Sequence, residues 1–173
     1  DGFSLVIDTG PDFRMQMLRG KHENLDAVLF THEHKDHIAG LDDIRPFNYI
    51  QKKRIDVYAT KQVQEALKRE FHYVFANIKY PGIPQIDLHD IDLSPFTIGP
   101  FEIIPIQLYH HKLPVLGFRI GDFTYITDAN RIDQQEKAKV MGSKIVVLNS
   151  LRREPHISHF TLDQVLDLMV EFK

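Results

Sequence analysis

The hydrophobic positions of this chain fall into short blocks cut by Gly, Pro and Asp, and each block has strand or helix spacing. Phe3-Ser4-Leu5-Val6-Ile7 reads as a strand that stops at Asp8-Thr9-Gly10-Pro11, with Pro11 at the start of a predicted helix over 12–18. The continuous run Ala27-Val28-Leu29-Phe30 predicts a buried strand over 27–31. Residues 55–59 alternate as a half-exposed strand. Val63, Ala66, Leu67, Phe71 and Val74 then lie near helical spacing and predict one helix over 61–76, with His72 on its face. Residues 78–95, with Pro81-Gly82-Ile83-Pro84 and several aspartates, predict a solvated loop.

Further on, 96–98 and 101–108 predict a hairpin about Gly99-Pro100. A second hairpin pairs 116–120 with 123–126 across Gly121-Asp122. A helix over 133–141, a buried strand over 144–148 and a helix over 161–172 follow. In the last, Leu162, Val165, Leu166 and Met169 share a face. Strands alternate with helices, so the expected class is α/β, with sheets inside and helices outside. There is no repeat, low-complexity tract or internal linker, and residues 1–173 are expected to form a single domain.

The densest chemistry lies in Thr31-His32-Glu33-His34-Lys35-Asp36-His37, just after the 27–31 strand. If the chain stays extended there, His32 and His34 share a face. Imidazole and carboxylate donors at the C-terminal end of a strand suit zinc, iron or manganese. The run of Asp87, Asp90 and Asp92 around His89 carries no such expectation, because it lacks the glycine and terminal glutamate of a calcium loop.

T-H-E-H-K-D-H resembles the His-x-His-x-Asp-His signature of the metallo-β-lactamase superfamily of metal-dependent hydrolases. The continuation Gly40-Leu41-Asp42-Asp43-Ile44-Arg45 looks most like its phosphodiesterase branch, which includes cyclic-phosphate phosphodiesterases and, more remotely, tRNA 3′-processing endonucleases. The resemblance runs from Asp8 to about Leu166. It implies a metallo-β-lactamase-like αββα sandwich, here without the family's N-terminal strands and its C-terminal strand with a further histidine. Both ends of the chain look cut.

The resemblance also implies a site. His32, His34 and a histidine of Tyr109-His110-His111-Lys112 would hold one divalent ion, zinc or manganese. Asp36 and His37 would hold a second, and Asp128, ending Tyr125-Ile126-Thr127-Asp128, would bridge the two. The pattern around Leu116-Gly117-Phe118 favours His110, whereas the spacing in tRNA-processing members favours His111. Adjacent strand residues point to opposite faces, so one of them faces inward, and His110 is the assignment adopted. Asp8 would support the metal loop from behind. Asp36 and His159 are the expected catalytic residues. His159-Phe160-Thr161 resembles the branch's His-Ser/Thr motif, whose histidine protonates the leaving oxygen. His156 has no task, and Ser158 or Thr161 is a candidate helix cap. Lys112 and Arg152, with Arg119 and Arg153 behind them, are candidate phosphate holders.

The function implied is hydrolysis of a small cyclic or nucleotide-like phosphodiester through a hydroxide bridging two cations about 4 Å apart. Composition narrows this. The 173 residues suffice for a real core, and 43% hydrophobic and 26% charged residues are ordinary for a globular protein. With no cysteine, any zinc must rely on His and Asp. A formal charge of -3 gives no electrostatic footprint for long nucleic acid. No signal peptide or membrane-length apolar run is seen, so a cytoplasmic location with no membrane partner is expected, and a homodimer is allowed. Two alternatives stay open. One is thioester or lactam hydrolysis on the same metal site. The other, were the chain to stop at Lys173, is a metal-binding remnant without activity.

Overall fold

The computed structural model describes residues 2–77 and 80–172, which divide after Ile91 into two compact units. In the first unit the chain runs β1 (Leu5–Ile7), α1 (Phe13–Gly20), β2 (Ala27–Leu29), α2 (Lys35–Ile38), a 3-10 turn (Leu41–Ile44), α3 (Arg45–Gln51), β3 (Ile55–Ala59), α4 (Lys61–Glu70), α5 (His72–Phe75) and β4 (Ile86–Asp90). The four strands form one parallel sheet in that order, with Leu5 opposite Ala27, Ala27 opposite Asp56 and Ile55 opposite Ile86. Val28, Ile55, Val57 and Ala59 pack with Phe13, Ile38, Leu41, Ile44, Val63 and Leu67 from the helical segments. Parallel pairing puts the C-terminal ends of β1 and β2 side by side. The Asp8 amide donates to Leu29 O at 3.0 Å, and Asp8 and Thr31 leave the sheet as neighbours.

The second unit contains β5 (Phe96–Ile98), β6 (Phe101–His110), β7 (Leu113–Ile120), β8 (Phe123–Ile126), β9 (Arg131–Ile132), α6 (Gln134–Val140), β10 (Ile145–Leu148) and α7 (Leu162–Glu171). Its sheet has the order β10-β8-β7-β6-β5, antiparallel except for the parallel pair β10–β8, with β9 added to the end of β6. The Gly121-Asp122 turn forms as expected, with Gly121 at a φ of 57° that glycine adopts freely. Ile106, Leu108, Ile126, Val140, Phe160 and Leu168 are among the residues that form the core. Thr161 caps α7 through a reciprocal pair with Gln164, so the cap is Thr161 rather than Ser158.

Three sequence expectations are corrected. The helix over 61–76 is two helices, because Phe71 leaves helical geometry (φ −114°, ψ 42°) to bury its ring in the first core. The stretch read as a loop over 78–95 contains β4: Ile86 is buried opposite Ile55, and Asp87 and Asp90 pair outward with Arg54 and Lys61. Ile78 and Lys79 of that stretch, like the last residue of the chain, lie outside the described residues. The hairpin strand expected at Leu116 begins at Leu113, so Tyr109 and His110 belong to a long β6–β7 ladder and His111-Lys112 form its turn. Among the described residues no helix is long and apolar enough to cross a membrane.

Candidate metal centre

In the first unit the ligand loop is held from below by one carboxylate. Asp8, at a left-handed φ of 61°, accepts the Thr31 amide on Oδ1 (2.8 Å). Its Oδ2 accepts the Thr31 hydroxyl (2.8 Å) and His37 Nδ1–H (2.7 Å). The carboxylate has no proton to give, so Thr31 Oγ1 spends its hydrogen on Asp8 and accepts Nδ1–H of His32 at 3.0 Å. Both imidazoles are thereby fixed in one tautomer, with Nε2 left as the lone-pair nitrogen, the arrangement by which outer partners orient metal-binding histidines. The His32 ring centroid lies 4.1 Å from that of His37 and 4.7 Å from that of His34. Although β2 ends at Leu29 and the loop is not extended strand, His32 and His34 still meet.

Backbone contact does the rest. The Thr9 amide donates to His37 O and the Gly40 amide to Thr9 O, each at 2.8 Å. A Cβ on Gly10 would stand 2.7 Å from Asp36 O, and one on Gly40 would stand 2.3 Å from Gly10 O. Only glycine permits this approach. The two open positions of the motif bind α4, Glu33 through Gln62 (2.7 Å) and Lys35 through Glu70. The Asp36 side chain is 71% exposed, 3.7 Å from His37 Nε2.

In the second unit His110 closes β6 and donates Nδ1–H to Ser158 O at 2.9 Å, which again leaves Nε2 as the acceptor nitrogen. Asp128 follows β8 in a left-handed conformation (φ 44°), accepts Thr127 Oγ1–H at 3.1 Å, and has a side chain only 13% exposed. His159 Nδ1 lies 3.2 Å from Asn149 Oδ1 and 4.0 Å from Asp128 Oδ1. The His159 ring sits 4.6 Å from that of His110 and 5.1 Å from that of His156. One donor atom from each of His110, Asp128 and His159 falls within 4.8 Å of the others. His111 is instead exposed in the hairpin turn at a φ of 58°, its amide donating to Asn130 Oδ1 at 2.8 Å.

The phosphate-holder candidates separate. Lys112 is exposed in the same turn. Arg152 spends its guanidinium on Glu154 O and Pro155 O of its own loop, and Arg153 is exposed. Arg119 bonds the carbonyls of Gly121, Lys139 and Met141 and serves the sheet edge. Sequence reasoning missed Asn130 and Asn149. Asn130 also donates to Ile157 O (3.0 Å) and so ties the β6–β7 turn to the loop that carries His159.

The donor set fits divalent metal. It offers imidazoles, three of them oriented through Nδ1, beside carboxylates, and no described residue offers the thiolate that would select softer ions. The chain belongs to the β-lactamase superfamily domain family, whose model matches residues 4–173. Its α/β fold, with one parallel and one mixed sheet, is that of the metallo-β-lactamases.

Relatives refine the comparison. A crystal structure of a diphosphatase from the PhnP family superposes with a TM-score of 0.90 at 33% identity, over 99% of this chain and 66% of that one. The short form of human tRNase Z superposes with a TM-score of 0.67 at 16% identity, over 96% of this chain and 76% of that one, a likeness of fold. An octanoyltransferase of Porphyromonas gingivalis is 37% identical over 168 residues, 96% of this chain. This chain spans only 34% of the length of that protein.

Proposed function

We propose that this chain carries the catalytic core of a metal-dependent hydrolase acting on a small phosphodiester, cyclic or nucleotide-like. The observation that carries the reading is the placement of His159, an imidazole beside His110 and Asp128 with its Nδ1 already bonded. Likeness to a PhnP-family diphosphatase supports chemistry at phosphorus. Family membership supports taking His32, His34 and His110 as ligands of one ion, Asp36 and His37 as ligands of another, and Asp128 as the bridge, zinc or manganese being suitable. Bound there, divalent cations would supply an acidified water and positive charge against the phosphoryl oxygens.

The chain's own residues do the remaining work. Asp8 and Thr31 hold His37 and His32 through Nδ1, and Ser158 O does the same for His110. Asp36, as a ligand carboxylate, serves catalysis by fixing where charge sits. His159 gives a proton from Nε2 to the departing alkoxide, a role that suits imidazole near neutral pH. Lys112, exposed in the β6–β7 turn, would meet a phosphoryl oxygen. Arg152 reaches one only by releasing its own loop.

One observation favours a second reading. The Porphyromonas gingivalis relative is named for octanoyl transfer, which would direct the same centre at an acyl thioester. We assign that name to the two thirds of the relative that this chain does not span. The test compares initial rates on bis-p-nitrophenyl phosphate and on an octanoyl thioester with zinc or manganese present. Turnover of the diester alone is expected, and turnover of the thioester alone overturns the reading.

A further inference from the structure

The loop that carries His159 is tied mainly through its backbone, Ser158 O accepting from His110 and Ile157 O from Asn130. Leu151 N donates to Phe160 O (3.2 Å) and Phe160 N to Ala129 O (2.7 Å), which fixes the backbone beside His159 without fixing its ring. The ring is met by Asn149, which stands on much firmer ground. Asn149 directly follows β10, and its amide donates to Ile126 O at 3.1 Å, the last residue of β8. The same strand end delivers Asp128 two residues later. Asn149 and Asp128 are thus carried by adjacent parallel strands, β10 and β8, and the 3.2 Å contact from Asn149 Oδ1 to His159 Nδ1 references the ring to that rigid edge.

We propose that Asn149 is a positioning residue for His159. Its side-chain carbonyl holds the imidazole through Nδ1–H, so that Nε2 is the nitrogen turned to the leaving oxygen. A carbonyl oxygen can only accept, so this contact keeps a proton on Nδ1. The ring acts as donor in its imidazolium form, giving the second proton from Nε2 and returning to the neutral Nδ1–H tautomer. Free imidazole in water would rotate and exchange between tautomers, and a proton donor must be held within hydrogen-bond reach of the atom it protonates. An amide also brings no charge of its own next to Asp128, unlike a carboxylate in the same place. The proposal rests on the reading of His159 as proton donor and adds what aims it.

The test uses the metal-loaded chain with Asn149→Leu, which keeps the side-chain size and loses the acceptor, and Asn149→Asp, which keeps an acceptor. Asn149→Ala replaces the leucine variant if that one does not fold. Long-range proton–nitrogen spectra of the His159 ring report the tautomer without needing turnover. Nδ1–H is expected in the natural chain and in Asn149→Asp, and its loss is expected in Asn149→Leu. The same tautomer in all three overturns the proposal.

Turnover provides the second arm, on a methyl p-nitrophenyl diester that expels p-nitrophenolate and on a dialkyl or cyclic diester that expels an alkoxide. Nitrophenolate leaves without help, whereas an alkoxide needs the proton. In Asn149→Leu the loss of kcat on the alkoxide substrate should exceed that on the aryl one by about 10²-fold, the usual worth of a general acid. Equal losses on both substrates, or none, overturn the proposal. A locked tautomer in a chain that cleaves no phosphodiester would uphold the positioning and overturn the phosphodiesterase reading.

Discussion

Asp8 braces the histidine motif from behind. It satisfies the Thr31 amide and hydroxyl and His37 Nδ1 together, at 2.7–2.8 Å. Asp8→Asn keeps an oxygen for the Thr31 amide but faces His37 and the Thr31 hydroxyl with a donor instead of an acceptor. We expect divalent-metal affinity to fall about 10–100-fold, and stability to fall by about 1–3 kcal/mol. Competition with a chromophoric chelator and thermal melts read the two effects, and unchanged affinity would remove Asp8 from the centre.

Asp26 gives a pH test away from the site. Burial pushes its carboxyl up, but the Lys53 ammonium, the Ser4 amide and Asn24 outweigh this and hold it below its ordinary 3.8. A depressed carboxyl stabilises the fold above its unfolded pKa, and that contribution is lost as pH falls through the lower folded value. The stability gap between the natural chain and Asp26→Asn should be constant from pH 5 to 7 and close below about pH 4. It should not exceed about 1 kcal/mol, because the partner lysine is open to solvent. A gap that widens in acid would contradict the assignment.

At this scale the sequence showed the dense local cluster at His32, His34, Asp36 and His37 because all four fall within six residues. The partners that set tautomers were not legible. Ser158 O and Asn149 come from segments far along the chain, and no local pattern marks an asparagine as an imidazole's partner. Which of His110 and His111 turns toward Asp128 required the ladder register, in which His110 pairs with Leu113 and His111 falls in the turn.

Elements were legible where spacing and punctuation agreed. β3, the Gly121-Asp122 hairpin and α7 with its Thr161 cap all have clean periodicity and a clear stop. β4 was hidden because its alternation, Ile86-Asp87-Leu88-His89-Asp90, follows a Pro-Gly-Ile-Pro turn and carries aspartates that look solvated. They are paired with Arg54 and Lys61 on the outer side of the strand, while Ile86 does the packing. The α4–α5 break was hidden because Phe71 keeps the hydrophobic spacing while leaving the helix.

Two element-level expectations follow. Gly40→Ala forces a Cβ to 2.3 Å from Gly10 O and 2.9 Å from Phe13 Cβ, so the 8–10 turn and the ligand loop must part. The cost should be about 1–3 kcal/mol, seen as a lower denaturation midpoint together with weaker metal binding. An unaltered midpoint would mean that the two loops are not mutually braced. Thr161→Ala removes the α7 cap and should cost about 1 kcal/mol. No loss in a chemical denaturation curve would show the cap to be idle.

At the scale of the whole molecule, each unit gathers its histidines by the same device. A strand ends, the next residues turn through a left-handed aspartate (Asp8 after β1, Asp128 after β8), and a neighbouring loop closes over it. Under the proposed function, removal of metal should abolish turnover and leave both cores intact. The decisive measurement is phosphodiester turnover by one preparation before chelation, after chelation and after readdition of zinc or manganese. Turnover is expected to disappear with the metal and to return with it. Turnover that survives complete chelation, or none at any metal loading, would contradict the proposed function.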